Sequence, residues 1–297
     1  MSDLEINGVF SGGGMKGYAL IGAIQAAEEH GFHFKKVAGT SAGSIVAAFL
    51  TAGFTSEEIY KIMIDAPRKS FLDSSFRVLP FINWLMLYWN MGLYKGNALE
   101  KWLGEKLARK GVRNFGDIEP GSLKVIVSNV SNNQLVVIPD DLPKYQIDPR
   151  KFSIAKAVRM SASIPYIFRP VKLKKNLIVD GGLLSNFPVW LFESKDYTKK
   201  AKRPVIGIRL TPKEKTNERR DIHNSLELFS ALFSTMLNAH DLRYISRKVE
   251  KNIMFIPVQE GISADFDLPK EECEKLVQLG KQTAIEFFKT WRHTVKT

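Results

Sequence analysis

The first 53 residues contain the same local design twice. An apolar run at residues 6–10 stops at Ser11-Gly12-Gly13-Gly14, and an Ala-rich helical stretch at 18–30 follows, closed by Gly31. A second apolar run at 34–38 stops at Gly39-Thr40-Ser41-Ala42-Gly43, and a further helical stretch at 44–52 is closed by Gly53. An apolar run that breaks on glycine and turns into a helix is the unit from which parallel sheets are built. Two such units in succession commit the chain to an α/β fold before the rest of the sequence is considered.

The remainder extends that pattern. Residues 123–130 and 134–138 read as paired strands around a Ser131-Asn132-Asn133 turn. Apolar runs at 177–179, 205–210 and 253–258 read as further strands, and 99–109, 153–160, 225–249 and 270–291 as helices. Thr55-Ser56-Glu57-Glu58 has the form of a capped helix start. The expected fold is a largely parallel central sheet flanked by helices, with a helical C-terminal portion. The charge-rich stretch 213–221 is the expected division between a main domain, residues 1–212, and a mostly helical extension, residues 213–297, packed on the same domain.

Composition narrows the environment. Hydrophobic residues make up 44% and charged residues 25%, which supports a sizeable core. The single cysteine, Cys273, excludes an internal disulfide. The chain starts without a basic segment followed by a long apolar one, so a cytoplasmic location is expected, with peripheral membrane contact open. The net charge of +12 suits either a solvated basic surface or an anionic membrane. The basic clusters are not interleaved with aromatics, so nucleic acid is not an expected partner.

Three segments carry candidate chemistry. Gly39-Thr40-Ser41-Ala42-Gly43 is a G-x-S-x-G between a strand and a helix, the context in which a sharp turn exposes a serine oxygen at a helix N-terminus. The same letters also suit a small-residue packing turn. Gly12-Gly13-Gly14-Met15-Lys16-Gly17 fits either a dinucleotide turn or a loop of backbone N–H donors for a developing oxyanion. The dinucleotide fold requires an acid at the end of the second strand, where this chain has Ala38-Gly39-Thr40, so that reading is disfavoured. Asp180-Gly181-Gly182 ends a strand with a carboxylate at the sheet edge where active sites gather, although Asp-Gly is also an ordinary turn.

In this order the three segments resemble the motif set of the patatin-like phospholipase family. Residues 92–96 (GLYKG) and the block Ser161-Ala162-Ser163-Ile164-Pro165-Tyr166-Ile167-Phe168 resemble it too, so the similarity covers about residues 6–210. The resemblance implies a serine acyl hydrolase acting on phospholipid or other acyl-ester lipids, with Ser41 as nucleophile and Asp180 as its base. It implies an oxyanion hole in the Gly12, Gly13 and Gly14 loop, helped by the Ala42 amide. Gly17, Gly39, Gly43, Gly181 and Gly182 complete its motifs. Neutral esters are an alternative substrate class, and a lipid-binding protein without catalysis is a third reading. No metal or other cofactor is implied, and no zinc-type Cys/His spacing or EF-hand loop is present.

Serine hydrolases usually place a histidine between serine and carboxylate. The candidates are His30, His33, His223, His240 and His293, and none has the setting of a loop after a strand. The resemblance implies that the aspartate acts directly. An ordinary Asp, with a pKa of ~3.9, is a weak base for a hydroxyl. Burial would raise it.

Residues 78–94 form a 17-residue uncharged stretch between Arg77 and Lys95, interrupted by Pro80 and Gly92 and too short for a good transmembrane helix. Phe81, Trp84, Tyr88 and Trp89 fall at helical spacings, so a helix is expected that either packs as core or forms a lip dipping into an anionic bilayer.

Overall fold

The computed structural model describes residues 4–73, 89–192, 203–213, 222–223, 228, 231–237, 250–259 and 268–291. Both expected strand–turn–helix units form. Strand β1 (Leu4–Phe10) leads through the glycine turn into helix α1 (Tyr18–Glu29), and β2 (Phe32–Thr40) leads through Ser41 into α2 (Ala42–Thr51). Helix α3 (Ser56–Ile64) starts with the foreseen capping box: Thr55 Oγ1 accepts from Glu58 N–H at 3.2 Å, and Glu58 accepts from Thr55 N–H at 2.9 Å. A short α4 (Arg68–Phe71) and β3 (Gly92–Tyr94) precede α5 (Asn97–Ala108). Then come β4 (Leu123–Asn129), β5 (Gln134–Ile138), α6 (Ile154–Ser161), β6 (Tyr166–Phe168), β7 (Val171–Leu173), β8 (Asn176–Asp180), β9 (Val205–Pro212), β10 (Ile253–Val258) and α7 (Lys270–Thr290).

The main sheet runs β10-β9-β1-β2-β4-β8-β7, with β5 also on β4. The pairs joining β10, β9, β1, β2 and β4 are parallel, whereas β5, β8 and β7 attach antiparallel. The fold is therefore the expected α/β sheet, mixed at one end. Ile6, Phe10, Leu20, Ile24, Phe49, Leu103 and Val125 are fully buried within its core.

One strand edge decides where the chemistry can sit. Residues 125–126 of β4 pair with β5 and also with β2, so β2 lies on the edge opposite β5. Residues 127–129 pair with β5 and also with β8, so β8 lies on that same edge. Strand β2 runs parallel to β4 and stops with Thr40 opposite Ile126. Strand β8 runs the other way and stops with Asp180 opposite Val127. The C-terminal ends of the two strands meet head to head along one edge of β4.

Residues 92–94 depart from the expected helix. They form β3, which pairs with β6 through Gly92↔Tyr166 and Tyr94↔Phe168. A Cβ on Gly92 would stand 2.6 Å from the backbone of Phe168 and Arg169, an approach that glycine alone permits and that a helix would not make. Phe81, Trp84 and Tyr88 lie outside the described residues, and Trp89 is 74% exposed. Of the helix expected at 225–249, residues 231–237 are helical and most of the rest lies outside the described residues. Among the described residues, no helix is long and apolar enough to cross a membrane.

Helix α7 packs directly on α1. A Cβ on Gly22 would stand 1.8 Å from the Val277 carbonyl oxygen, and one on Gly280 1.8 Å from that of Ala19. The two backbones therefore touch where each helix presents a glycine to the other. Overfilling such a contact costs about 1–3 kcal/mol or more. Gly22→Ala and Gly280→Ala should each lower Tm by several degrees, roughly 5 °C, in a thermal melt. An unchanged Tm for both would show that the helices separate at no cost.

Candidate active site

The serine elbow is built by exclusion. A Cβ on Gly39 would come within 2.4 Å of the Gly43 carbonyl oxygen, and one on Gly43 within 2.4 Å of that of Phe10. With glycine at both ends the chain turns within a few residues, and Ser41 takes φ 51° and ψ −122°, a strained conformation for a residue with a side chain. Its carbonyl accepts from the Ser44 N–H at 2.9 Å and the Ser44 hydroxyl at 2.6 Å, which ties the elbow to the first turn of α2. Its N–H donates to Ser161 Oγ at 2.8 Å.

Asp180 ends β8 and is buried, 2% exposed. Its N–H donates to the Ser163 carbonyl at 2.9 Å, and its Oδ1 accepts from the Gly182 N–H at 2.7 Å. Oδ2 is buried and has no hydrogen-bond partner among the described residues. Burial pushes the carboxyl up to about pKa 7, against the Gly182 N–H and the nearby Ser41 hydroxyl, which both favour the charged form. Ser41 and Asp180 are thus brought together, with the hydroxyl close enough to act on the carboxylate but outside full hydrogen-bond geometry. Gly181 makes the exit turn possible, since a Cβ there would stand 2.2 Å from the Ile126 carbonyl oxygen.

The glycine loop lies beside Ser41: a Cβ on Gly12 would be 3.2 Å from the Ser41 Cβ, and one on Gly17 2.8 Å from the Ala42 Cβ. The Gly12 N–H donates to the Asn186 carbonyl at 3.1 Å and is already engaged, which removes Gly12 from the set of available donors. The N–H groups of Gly13, Gly14 and Ala42 have no acceptor among the described residues. They stand at the starts of a 3₁₀ turn and of α2, where backbone donors are left over.

An apolar cavity opens from Ser41 and Gly14 between Met15, Ile45, Trp102, Ile164 and Phe168. The histidines lie elsewhere. His33 is at the N-terminal end of β2, far from Ser41, and His30 caps the end of α1 with its ring tilted against that of Phe288. His223 is exposed, and His240 and His293 lie outside the described residues. Among the described residues, the groups acting on the Asp180 carboxyl are Gly182 and Ser41. Among the described residues no cluster of three His, Cys, Asp or Glu could hold a metal ion.

Sequence reasoning missed the polar residues behind the site. Ser161 and Ser163 are fully buried, and Arg159 is 2% exposed. Burial holds the Arg159 guanidinium down at about pKa 10, and it donates to Ser163 Oγ and to the carbonyls of Lys95 and Arg169. Ser161 and Ser163 lie inside the block 161–168, noted only as a whole, and Arg159 stands two residues before it.

Comparison with known proteins agrees with the geometry. The patatin-like phospholipase model matches residues 8–192, and the chain belongs to that family. It is accordingly a lipid acyl hydrolase. It is 48% identical over 296 residues to the uncharacterized protein YqhO of Bacillus subtilis, covering 98% of this chain and all of that one. It is 27% identical over 266 residues to a probable lipid hydrolase, 463L, of Invertebrate iridescent virus 6, covering 86% of this chain and 87% of that one. The crystal structure of VipD from Legionella pneumophila shares the fold with a TM-score of 0.60 at 18% identity, over 96% of this chain and 67% of that one.

A carboxyl whose pKa rises on folding binds its proton more tightly when folded, so its ionisation destabilises the protein as pH climbs from about 4 to about 7. Asp180→Asn removes that ionisation. The variant should melt several degrees above the wild type at pH 8, with the gap narrowing as pH is lowered to 4. Parallel melting curves at every pH would mean that Asp180 does not carry this burden.

Proposed function

We propose that Ser41 and Asp180 form a catalytic dyad that hydrolyses the acyl esters of lipids through a covalent acyl-enzyme. The observation that carries this reading is the head-to-head approach of β2 and β8, which sets a strained serine beside a buried carboxylate of pKa about 7. A base with a pKa near the working pH is suited to removing a hydroxyl proton.

Ser41 Oγ attacks the ester carbonyl carbon while its proton passes to Asp180. The carbonyl oxygen becomes an oxyanion and accepts from the N–H groups of Gly13, Gly14 and Ala42, donors held in place before the reaction. As the tetrahedral intermediate collapses, the C–O bond to the alcohol breaks and the alcohol leaves with the proton from Asp180. Water then attacks the acyl-enzyme, giving a proton to Asp180. The carbon–Ser41 bond breaks, the serine recovers that proton, and the fatty acid departs. The acyl chain lies in the apolar cavity between Met15, Trp102 and Phe168.

Ser41→Ala should reduce hydrolysis of a chromogenic acyl ester below a few per cent of the wild-type rate and abolish labelling by a fluorophosphonate. Because the base must be ionised, kcat/KM of the wild type should fall below about pH 7, about tenfold per pH unit. Substantial turnover by Ser41→Ala, or a flat profile between pH 5 and 8, would remove the dyad.

The substrate enters from a lipid surface. Trp89, Met91 and Tyr166 are exposed on or beside the β3–β6 ribbon, and Ile164 and Phe168 of the same segment line the cavity. Aromatic residues favour the headgroup boundary, and the net charge of +12 favours anionic lipid. Trp89→Ala should weaken binding to phosphatidylserine-containing vesicles and slow their hydrolysis, while turnover of a short soluble ester is kept. Equal loss on both substrates would place Trp89 in the fold rather than at the membrane.

A further inference from the structure

The turn at Ser41 creates a gap in the sheet. At Thr40, opposite Ile126, β2 ends, and β8 takes over the same edge of β4 at Val127. The Ser41 N–H and the Ile126 carbonyl fall in this gap. If β2 ran on, a ladder bond would join them. Instead the hydroxyl of Ser161 stands between: Oγ accepts from the Ser41 N–H at 2.8 Å and donates to the Ile126 carbonyl at 2.6 Å.

We infer that Ser161 is a positioning residue, whose hydroxyl bridges Ser41 to β4 and holds the nucleophile in the orientation from which it attacks. The inference rests on the reading of Ser41 as nucleophile. Ser161 does not touch the substrate: it is fully buried at the end of α6, behind the elbow. Its two bonds also fix the direction of the hydroxyl. The Ile126 carbonyl can only accept, so Ser161 must donate there and is left to accept from Ser41. A strained φ of 51° needs a partner that holds the peptide plane, and this N–H is the elbow's link to the neighbouring strand.

The anchor continues into the other half of the site. The Ser163 carbonyl, two residues on, accepts the Asp180 N–H at 2.9 Å, and its hydroxyl donates to the Arg159 carbonyl at 2.8 Å. One helix end therefore holds the backbone of both Ser41 and Asp180, which come from strands running in opposite directions.

The test is steady-state hydrolysis of a soluble acyl ester by Ser161→Ala and Ser161→Cys, with Ser41→Ala as reference. Ser161→Ala leaves the Ser41 N–H without its acceptor, and a small displacement of a reacting atom costs roughly ten- to hundredfold in rate. The expected result is a fall of that size in kcat with KM within about twofold of wild type, and an equally slowed fluorophosphonate labelling of Ser41. Ser161→Cys keeps the volume and a weaker hydrogen bond and should lie between the two. If Ser161→Ala does not fold, Ser161→Cys decides alone, since a reduced kcat at constant KM supports the bridge. Wild-type kcat in either variant, or a change confined to KM, overturns it. A Ser161→Ala enzyme at full rate beside an inactive Ser41→Ala enzyme would sink the bridge and leave the dyad standing. An active Ser41→Ala enzyme would instead sink the dyad.

Discussion

The site depends on a single strand edge shared between two strands that run against each other. A parallel sheet carries its strand ends to one side, and a serine elbow at such an end has solvent above it. Here the place beyond the end of β2 is taken by β8, arriving antiparallel, so the serine meets another strand's terminus. The carboxylate comes in on rigid backbone, held at Asp180 by its own N–H bond to Ser163, rather than on a long loop. In enzymes with a Ser-His-Asp triad a histidine spans the distance between nucleophile and acid. Two strand ends in register leave little distance to span.

The same arrangement sets the electrostatics. A carboxylate at the end of a buried strand loses its water, and among the described residues it recovers one hydrogen bond from a backbone donor, that of Gly182. Its affinity for a proton rises as a result. The feature that would suit Asp180 to the base role proposed for it is also a source of instability at neutral pH, a common relation between function and stability. The backbone donors of Gly13, Gly14 and Ala42 stand at helix starts, where the dipole favours negative charge.

How much of this could be read beforehand follows from what each segment's local chemistry determines. The two strand–glycine–helix units, the capping box at Thr55 and the strand before Asp180 are local, and glycine spacing and apolar runs reveal them. The antiparallel entry of β8 is not local. Nothing in Asn176–Asp180 says which edge it joins, and the run reads the same in either direction. Ser161 and Arg159 were missed for a related reason, since their partners Ser41, Ile126 and Lys95 are distant in the chain. Gly12 shows the converse case: the glycine run reads as a row of free donors, but the Gly12 N–H is engaged by the Asn186 carbonyl, a contact that only the folded chain supplies. Gly92–Tyr94 read as the end of an apolar helix because aromatic residues at helical spacing suit a helix, and pairing with β6 overrode that preference.

The glycine contact between α1 and α7 bears on the order in which the protein can be made. Helix α1 leaves the ribosome well before its partner α7, with strands β2 to β10 between them in chain order. Until α7 emerges, the face of α1 at Ala19 and Gly22 has nothing to close against. Strand β1, which also waits for β9, lacks a neighbour on one side until β9 has emerged. Over that interval the nascent chain carries an incomplete sheet, with apolar surface and a strand edge open to other chains. Chaperone demand during synthesis is thus a consequence of this topology, independent of how stable the finished protein is.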